Sequence, residues 1–482
     1  MFNDPPDEWR IPQSCALTGI VGHGDAKSEG TKRKCLLRSG SMLTSTCRST
    51  QNAMNSFTSP LRIVREEGEP LGVFFRPGKL DHTVLQQLLS EGKVGMLGAV
   101  FDFLHISFQE GLKAELLQRN LDAILDPMVM ELATPVGFTA ARQKALPWAN
   151  TNMHALADFD LNRCHAVADQ ITQCVSENGF TAVLAPTHFL REGSKDAWFS
   201  VDKQLVTILR QRLDAAGCTK VSIYYPLAIH SRIFIDPASR IALKASLAAL
   251  PIDALWLRIH PFGSESGDTT LRRYISACQD FHGLKRPLVA EKTGVLGLAL
   301  LAFGAVAGLE SGISSGDKFD FLRLNRINPV KSSFKKAARI YLSDLNLFLT
   351  RQQATEFFQH RGLRQFGCRD TACCRQGIDS MIGLNSRRHF AYTRMNEVSQ
   401  LSRVTPSLRP DNYLDQILRP ATDRIGRVLM NDQLSEGVAD TLRNKRRRLD
   451  GWRDTLGELS RESVDSFSPP IERRIHRVKA TA

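Results

Sequence analysis

Residues 94–131 read VGMLGAVFDFLHISFQEGLKAELLQRNLDAILDPMVME. Val94–Phe103 is a nearly continuous apolar run, the pattern of a strand buried on both faces. Phe108–Asn120 switches to the helical period, with apolar side chains three and four residues apart. Ala123–Glu131 is apolar again. A strand, a helix and a strand joined by such short connections predict two parallel strands with a helix crossing over between them.

The same unit repeats in both directions. Upstream, Leu71–Phe75 reads as a strand and Asp81–Ser90 as its helix. Downstream, after a Pro- and Asn-containing excursion over 133–160, a helix at Asn162–Glu177 ends at Asn178-Gly179, a good stop signal. The units then run on: strand Thr181–Pro186 with helix Val201–Ala216; strand Lys220–Tyr225 with helix Ala238–Leu250, started by Asp236-Pro237; strand Ala254–His260 with helix Thr269–Phe281; strand Pro287–Glu291 with helix Leu296–Gly304; and strand Ala305–Leu309. Eight strands in this rhythm predict an α/β protein, a closed (β/α)8 TIM barrel. An open doubly wound sheet is the competing arrangement, but no G-x-G-x-x-G follows any strand.

Barrels of this kind work at the C-terminal ends of their strands. There the sequence places Arg76, Asp102, Glu131, His188, Tyr225, Arg258, His260, Glu291 and Glu310. Asp102, Glu131, Glu291 and Glu310 are the candidate catalytic carboxylates: one can attack while another passes a proton, and an oxocarbenium-like transition state gains from negative charge nearby. Arg76, His188, Tyr225, Arg258 and His260 are the candidate substrate-binding groups. Alternation along the strand aims only one of Glu291 and Lys292 into the lumen, and Glu291 is the one expected inside. Asp126 leaves two alternatives: the third strand starts after Pro127, or Asp126 lies in a polar layer.

The chain has 482 residues, 42% hydrophobic and 23% charged, which excludes a wholly disordered, collagen-like or coiled-coil protein. Lys and Arg number 63 against 50 for Asp and Glu, a formal charge of +13, and so basic a chain is drawn to polyanions, tRNA or DNA first among them. The longest apolar run, Val295–Leu309, is broken by glycines and too short for a bilayer span of about 20 residues, so no membrane partner is expected. Residues 1–58 are polar, contain KSEGTKRKCLLRSGS at 27–41, and read as a disordered basic arm. The barrel is expected over 59–325, a helical segment with a Cys/His cluster over 326–400, and a basic helical tail over 401–482. That tail carries Lys445-Arg446-Arg447-Arg448, read as a solvated helix face or as a phosphate contact.

Ten cysteines and an acidic, Pro-containing opening MFNDPPDEWRIP suit a reduced, cytoplasmic protein. Most thiols then belong to the core. Residues 367–389, GCRDTACCRQGIDSMIGLNSRRH, differ: Cys368, Cys373 and Cys374 fall within seven positions, with His389 beyond them. Three thiolates and an imidazole make a tetrahedral set for a structural zinc ion. A pair of buried thiols with the third exposed is the alternative.

The order of barrel, Cys/Cys/Cys/His segment and basic helical tail resembles the tRNA-guanine transglycosylase superfamily, over roughly residues 70–400. Asp122–Glu131 is similar to that family's third strand, which ends in an acid. Arg286–Glu310, RPLVAEKTGVLGLALLAFGAVAGLE, is similar to its penultimate strand, helix and last strand, and Arg387-Arg388-His389-Phe390 with Glu397 to the segment after its cysteines. The family's Cys-x-Cys-x-x-Cys is absent, IHPFGS at 259–264 stands where it has a Gly-Gly-Leu stretch, and Glu310 is the acid nearest its nucleophilic Asp. The resemblance implies base exchange in nucleic acid or a nucleoside through a carboxylate nucleophile, Glu310 or Glu291, with Asp102 as acid/base or base-recognition group and Arg258 on a phosphate or carbonyl. Two other readings stand beside it. One is a non-catalytic barrel that binds nucleic acid; the other is a barrel hydrolase or lyase that holds a small anionic metabolite with Arg258 and His260.

Overall fold

The computed structural model describes residues 70–139, 145–313, 318–325, 339–462 and 466–476. The basic arm expected over 1–58 lies outside them.

Eight parallel strands form a closed ring: β1 (Gly72–Arg76), β2 (Gly98–Asp102), β3 (Asp122–Asp126), β4 (Ala182–Leu184), β5 (Ser222–His230), β6 (Ala254–His260), β7 (Leu288–Glu291) and β8 (Gly308–Gly312). β8 returns to β1 with Gly72 opposite Gly308 and Arg76 opposite Gly312, which closes the cylinder. The (β/α)8 barrel is therefore the fold, and the open sheet is excluded. β4 is interrupted at 185–188 and resumes as Phe189–Leu190, paired with Ala228–Ile229 of β5.

Helices α1 (His82–Ser90), α2 (Ile106–Gln118), α3 (Leu161–Asn178), α4 (Ala197–Ala215), α5 (Pro237–Ala248), α6 (Asp268–Phe281) and α7 (Gly297–Ala302) follow the first seven strands in turn. Their ends obey local rules. Asp160 accepts a hydrogen bond from the Arg163 amide at 2.7 Å to start α3, and Gly179 ends it with φ of 65°. Asp236 caps α5 through the Ser239 amide at 2.8 Å, with Pro237 in the first turn.

The eighth covering helix does not follow β8 directly. A hairpin of β9 (Arg339–Leu342) and β10 (Leu347–Thr350), helix α8 (Arg351–Gln359) and the cysteine segment come first. Only then does α9 (Ser386–Ser402) pack against α1, α7 and β1. The Cys/His cluster thus sits in an insertion between the last stave and its helix. Helices α10 (Arg419–Val428) and α11 (Glu436–Arg461) complete the C-terminal part. Lys445 of α11 differs from the solvated run expected there. It is buried, its ammonium lies 4.4 Å from the centre of the Trp452 ring, and burial holds its pKa well below the usual lysine value.

Alternation sorts the strand residues. Phe74, Val100, Ile124, Leu184, Tyr224, Trp256 and Val289 fill the lumen. Their neighbours face the helices. At the floor of the barrel, residues 466–476 run across the strand starts. Ile471 packs against the lumen residues, Arg473 pairs with Asp122 at 2.7 Å, Arg474 pairs with Asp253 at 3.1 Å, and Ser468 accepts a hydrogen bond from the Leu288 amide at 2.9 Å. A Cβ on Gly308 would stand 2.5 Å from the tip of Ile471, so the glycine makes room for this strap. Among the described residues no helix is long and apolar enough to cross a membrane.

Candidate active site and metal centre

One rung above the apolar filling, the inward residues become charged: Arg76, Asp102, Asp126, Arg258, Glu291 and Glu310. They sit two positions beyond Phe74, Val100, Ile124, Trp256, Val289 and Gly308, so the pleat aims all of them at the mouth. They form one network. The Arg76 Nε and Nη2 donate to Glu310 at 2.9 and 3.1 Å, and its Nη1 donates to Asp102 at 2.5 Å and Asp126 at 2.7 Å. Arg258 donates to Glu291 at 2.6 Å and to Asp126 at 2.5 Å. Lys292 pairs with Glu291 at 2.9 Å, and the Trp256 indole donates to Glu310 at 3.1 Å.

Burial would push Asp126, Glu291 and Glu310 toward the neutral form, and the cations decide how far each moves. For Asp126, Arg258 and Arg76 outweigh burial and hold its pKa at about 2. Arg258, Lys292 and Arg76 likewise hold Glu291 well below the usual range. Burial and the charge of Glu291 win at Glu310, which is raised.

Glu131 does not end a strand. β3 stops at Asp126 because Pro127 has no amide hydrogen for the ladder and Met128 turns left-handed, with φ of 57°. Glu131 therefore rides on a helical turn, Val129–Leu132, beyond the strand end. It is half-buried, and its Oε2 is enclosed without a hydrogen-bond partner. Burial and the charge of Asp126 raise it to about 7.

Asp126 is the member of the network that the strand-end reading left open. Its signal is the alternation itself, since Ile124 and Asp126 share a face. Trp256 and Lys292 also belong to the network.

Three predicted residues lie elsewhere. His188 sits in the interruption of β4 and turns outward to α4, where its Nδ1–H donates to Asp202 at 2.6 Å and its ring stacks on Trp198 at 3.8 Å. Tyr225 belongs to the sheet–helix core, and its hydroxyl is buried without a partner. His260 is held by the segment after β8: its Nδ1 accepts from the Phe321 amide at 3.2 Å. In that segment Phe319 and Phe321 join Met130, Phe189 and Ala228 in an apolar cluster, and Phe321 stacks on Phe189 at 3.6 Å. Arg258 and His260, expected on a common anion, are both engaged within the protein.

The cysteine cluster converges. The ligand atoms of Cys368, Cys373, Cys374 and His389 all lie within 4.8 Å of one another. The Cys373 and Cys374 sulfurs are 3.8 Å apart, and His389 Nδ1 is 3.3 and 3.7 Å from them. Two thiolates about 2.3 Å from one tetrahedral ion stand about 3.8 Å apart, so the donor set fits zinc. His389 Nε2 donates to the Tyr341 carbonyl at 3.0 Å, which leaves the Nδ1 lone pair facing the sulfurs. Arg388 laces the loop down, donating to the carbonyls of Ala372 and Cys373 and pairing with Glu91 at the end of α1 at 2.6 Å.

No protein-family model and no curated protein matches the chain. Among solved structures it is similar to a Penicillium canescens endo-1,4-beta-xylanase, XylE, at 9% identity and TM-score 0.34 over 50% of this chain and 82% of that one. A Thermobaculum terrenum O-GlcNAc hydrolase mutant matches at 13% identity and TM-score 0.32, over 83% of this chain and 96% of that one. The carboxyl transferase domain of Rhizobium etli pyruvate carboxylase matches at 8% and 0.33, over 86% and 68%. None of these likenesses bears on the chemistry of the mouth.

Proposed function

We propose that the chain is a glycosyl-transfer enzyme of the tRNA-guanine transglycosylase kind, exchanging a base at a sugar carbon in nucleic acid. The observation that carries this reading is the sign of the mouth. Arg76, Arg258 and Lys292 face Asp102, Asp126, Glu291 and Glu310, so the ion pairs leave an excess of negative charge. Glu131 adds a further carboxyl that exchanges its proton near neutral pH. Such a mouth favours positive charge developing on a sugar ring. It gives an anionic metabolite no unmatched cation, which weighs against the hydrolase or lyase reading.

The roles follow from access. The Glu291 and Glu310 side chains are 1% and 0% exposed and held by cations, whereas Asp102 is 18% exposed. Asp102 attacks the sugar carbon: the carbon–oxygen bond forms as the carbon–nitrogen bond to the outgoing base breaks. Glu131 gives its proton to that base and recovers one from the incoming base, whose nitrogen then displaces Asp102. Arg76 holds Asp102 in place, and the formal charge of +13 favours a polyanionic substrate. Zinc bound by Cys368, Cys373, Cys374 and His389 would brace the insertion against α9 and take no part in the transfer.

The test is incorporation of labelled guanine, or of bases released from the same pool, into bulk tRNA and DNA. The wild type is expected to exchange label and D102N to lose it. A wild type that neither incorporates nor releases base, while still binding nucleic acid, overturns the proposal in favour of a non-catalytic barrel.

A further inference from the structure

Beside the mouth, behind the turn that carries Glu131, lies a separate cavity of about 430 Å³. That is within the range of about 300–1,000 Å³ of small-molecule sites. His188, Trp198, Thr134, Phe321, Arg191 and Lys195 line it.

Its polar groups are arranged differently from those of the mouth. His188 is 1% exposed, and Asp202 binds it twice: Oδ1 accepts from the Nδ1–H at 2.6 Å, and Oδ2 accepts from the His188 amide at 3.0 Å. The tautomer is thereby fixed, and Nε2 carries the lone pair. That atom is buried and has no partner among the described residues. A buried acceptor left unmatched is a cost that a donor on a ligand removes. Trp198 covers one face of the imidazole and is itself half-buried, and Phe321, stacked on Phe189 at 3.6 Å, lines the same cavity. Arg191 and Lys195 are exposed at the rim, and neither forms an ion pair among the described residues. Two acids line the cavity with them: Asp196 is consumed by the amides of Arg191, Glu192 and Trp198 at 2.6, 3.3 and 3.1 Å, and Glu192 is exposed and forms no ion pair with either cation among the described residues. The mouth's cations are all matched; these two are not.

We infer that this side cavity binds a nucleotide unit: the planar base against Trp198 and Phe321, a sugar hydroxyl donating to His188 Nε2, and the phosphate between Arg191 and Lys195. The site is distinct from the transfer chemistry, since none of these six residues belongs to the charged network. Binding here and exchange at the mouth can therefore fail independently.

Calorimetric titration of the full chain tests it, with GMP, AMP, CMP and UMP, with guanosine, and with a short single-stranded oligonucleotide. A mononucleotide is expected to bind saturably and its nucleoside more weakly. R191A/K195A should weaken the mononucleotide by about tenfold or more and leave guanosine unchanged, because only the phosphate contacts are removed. W198A should weaken both by about tenfold. H188Q should weaken both, and since it alters a buried residue its fold is checked by near-ultraviolet circular dichroism. The surface pair R191A/K195A keeps the test decisive if H188Q does not fold. Saturable binding of the oligonucleotide alone, weakened by the same variants, assigns the phosphate to a polymer and supports the site. No saturable binding of any probe, or binding indifferent to R191A/K195A and W198A, overturns it.

Discussion

Arg76 at the end of β1 meets Glu310 of β8 in a two-pronged pair, Nε to Oε1 at 2.9 Å and Nη2 to Oε2 at 3.1 Å. These are the two strands whose pairing closes the ring, and the pair is the seam's only charged tie within the lumen network described above. The same guanidinium also reaches Asp102 and Asp126. R76A would take the guanidinium from three carboxylates at a largely buried place, of which Asp126 alone keeps another arginine, Arg258, and should cost about 3–5 kcal/mol. Changing Arg76 and Glu310 together, to Met and Gln, should cost less than the sum of the single changes. Urea denaturation of the two single variants and the double variant checks both statements.

The two unusual acids predict opposite pH behaviour. Glu131 has a folded pKa of about 7, above its ordinary value, so the folded state holds this proton more tightly than the unfolded chain. Its favourable contribution is complete below about 4.5 and is lost as pH rises toward 7. E131Q should therefore be more stable than wild type at pH 8, by up to about 3 kcal/mol, and no more stable at pH 4. Asp126, held at about 2, contributes stability that is present above about 4 and lost as pH falls through 2. In catalysis Glu131 must start protonated, so kcat/KM should decline above about pH 7, and E131Q should abolish that limb along with about 10²–10⁴ of the rate. Guanidinium melts and exchange rates across pH 4–9 read these effects.

For the metal centre the expected content is one zinc per chain by elemental analysis. C374S and H389A should each lower it to near zero and lower the melting temperature. Chelator treatment of the wild type should reproduce the melting shift, and added zinc should reverse it in the wild type alone.

The strap at the floor makes a fourth expectation. I471A removes the side chain that fits beside Gly308 and should cost about 1–3 kcal/mol. R474A removes the guanidinium that pairs with the buried Asp253 carboxylate at 3.1 Å and should cost a similar amount. G98A is expected to be worse than either, since its Cβ would stand 2.2 Å from the Asp122 carbonyl oxygen, and backbone cannot yield as a side-chain tip can. Thermal unfolding of the three variants ranks them.

Much of the barrel was legible because strands buried on both faces announce themselves as apolar runs. β6 was expected at Ala254–His260 and is found there. Boundaries were weaker where apolar runs continue past a strand. Ala305–Leu309 was expected as the last strand, but the ladder spans Gly308–Gly312. The charged rung was legible at Arg76, Asp102, Arg258, Glu291 and Glu310, where a polar residue ends an apolar run. The apolar run to Glu131 suggests a strand of that length, but Pro127, which has no amide hydrogen for the ladder, is the signal that the strand ends at Asp126. His188 and Tyr225 face away from the mouth for different reasons. The interruption of β4 at 185–188 shifts the face that His188 meets, whereas in the unbroken β5 alternation gives the lumen to Tyr224 and turns Tyr225 toward the helices. Asp202, the partner of His188, lies in the apolar stripe of α4, three residues from both Phe199 and Leu205, and that placement is the signal that it is a buried acid.

The delay before the eighth covering helix has a temporal consequence. The amide of Leu71 is bonded to Ser402 Oγ at 3.1 Å, across 331 positions of chain. During synthesis the staves can align once residue 312 has emerged, yet the seam between the last stave and the first stays bare until α9 arrives, and the floor stays open until Ile471 does. A contact between such distant segments is slow to form, and exposed apolar surface invites association with other chains in the interval. Cells making this protein should therefore accumulate aggregate when translation stalls between those two points, and chaperone demand should peak there.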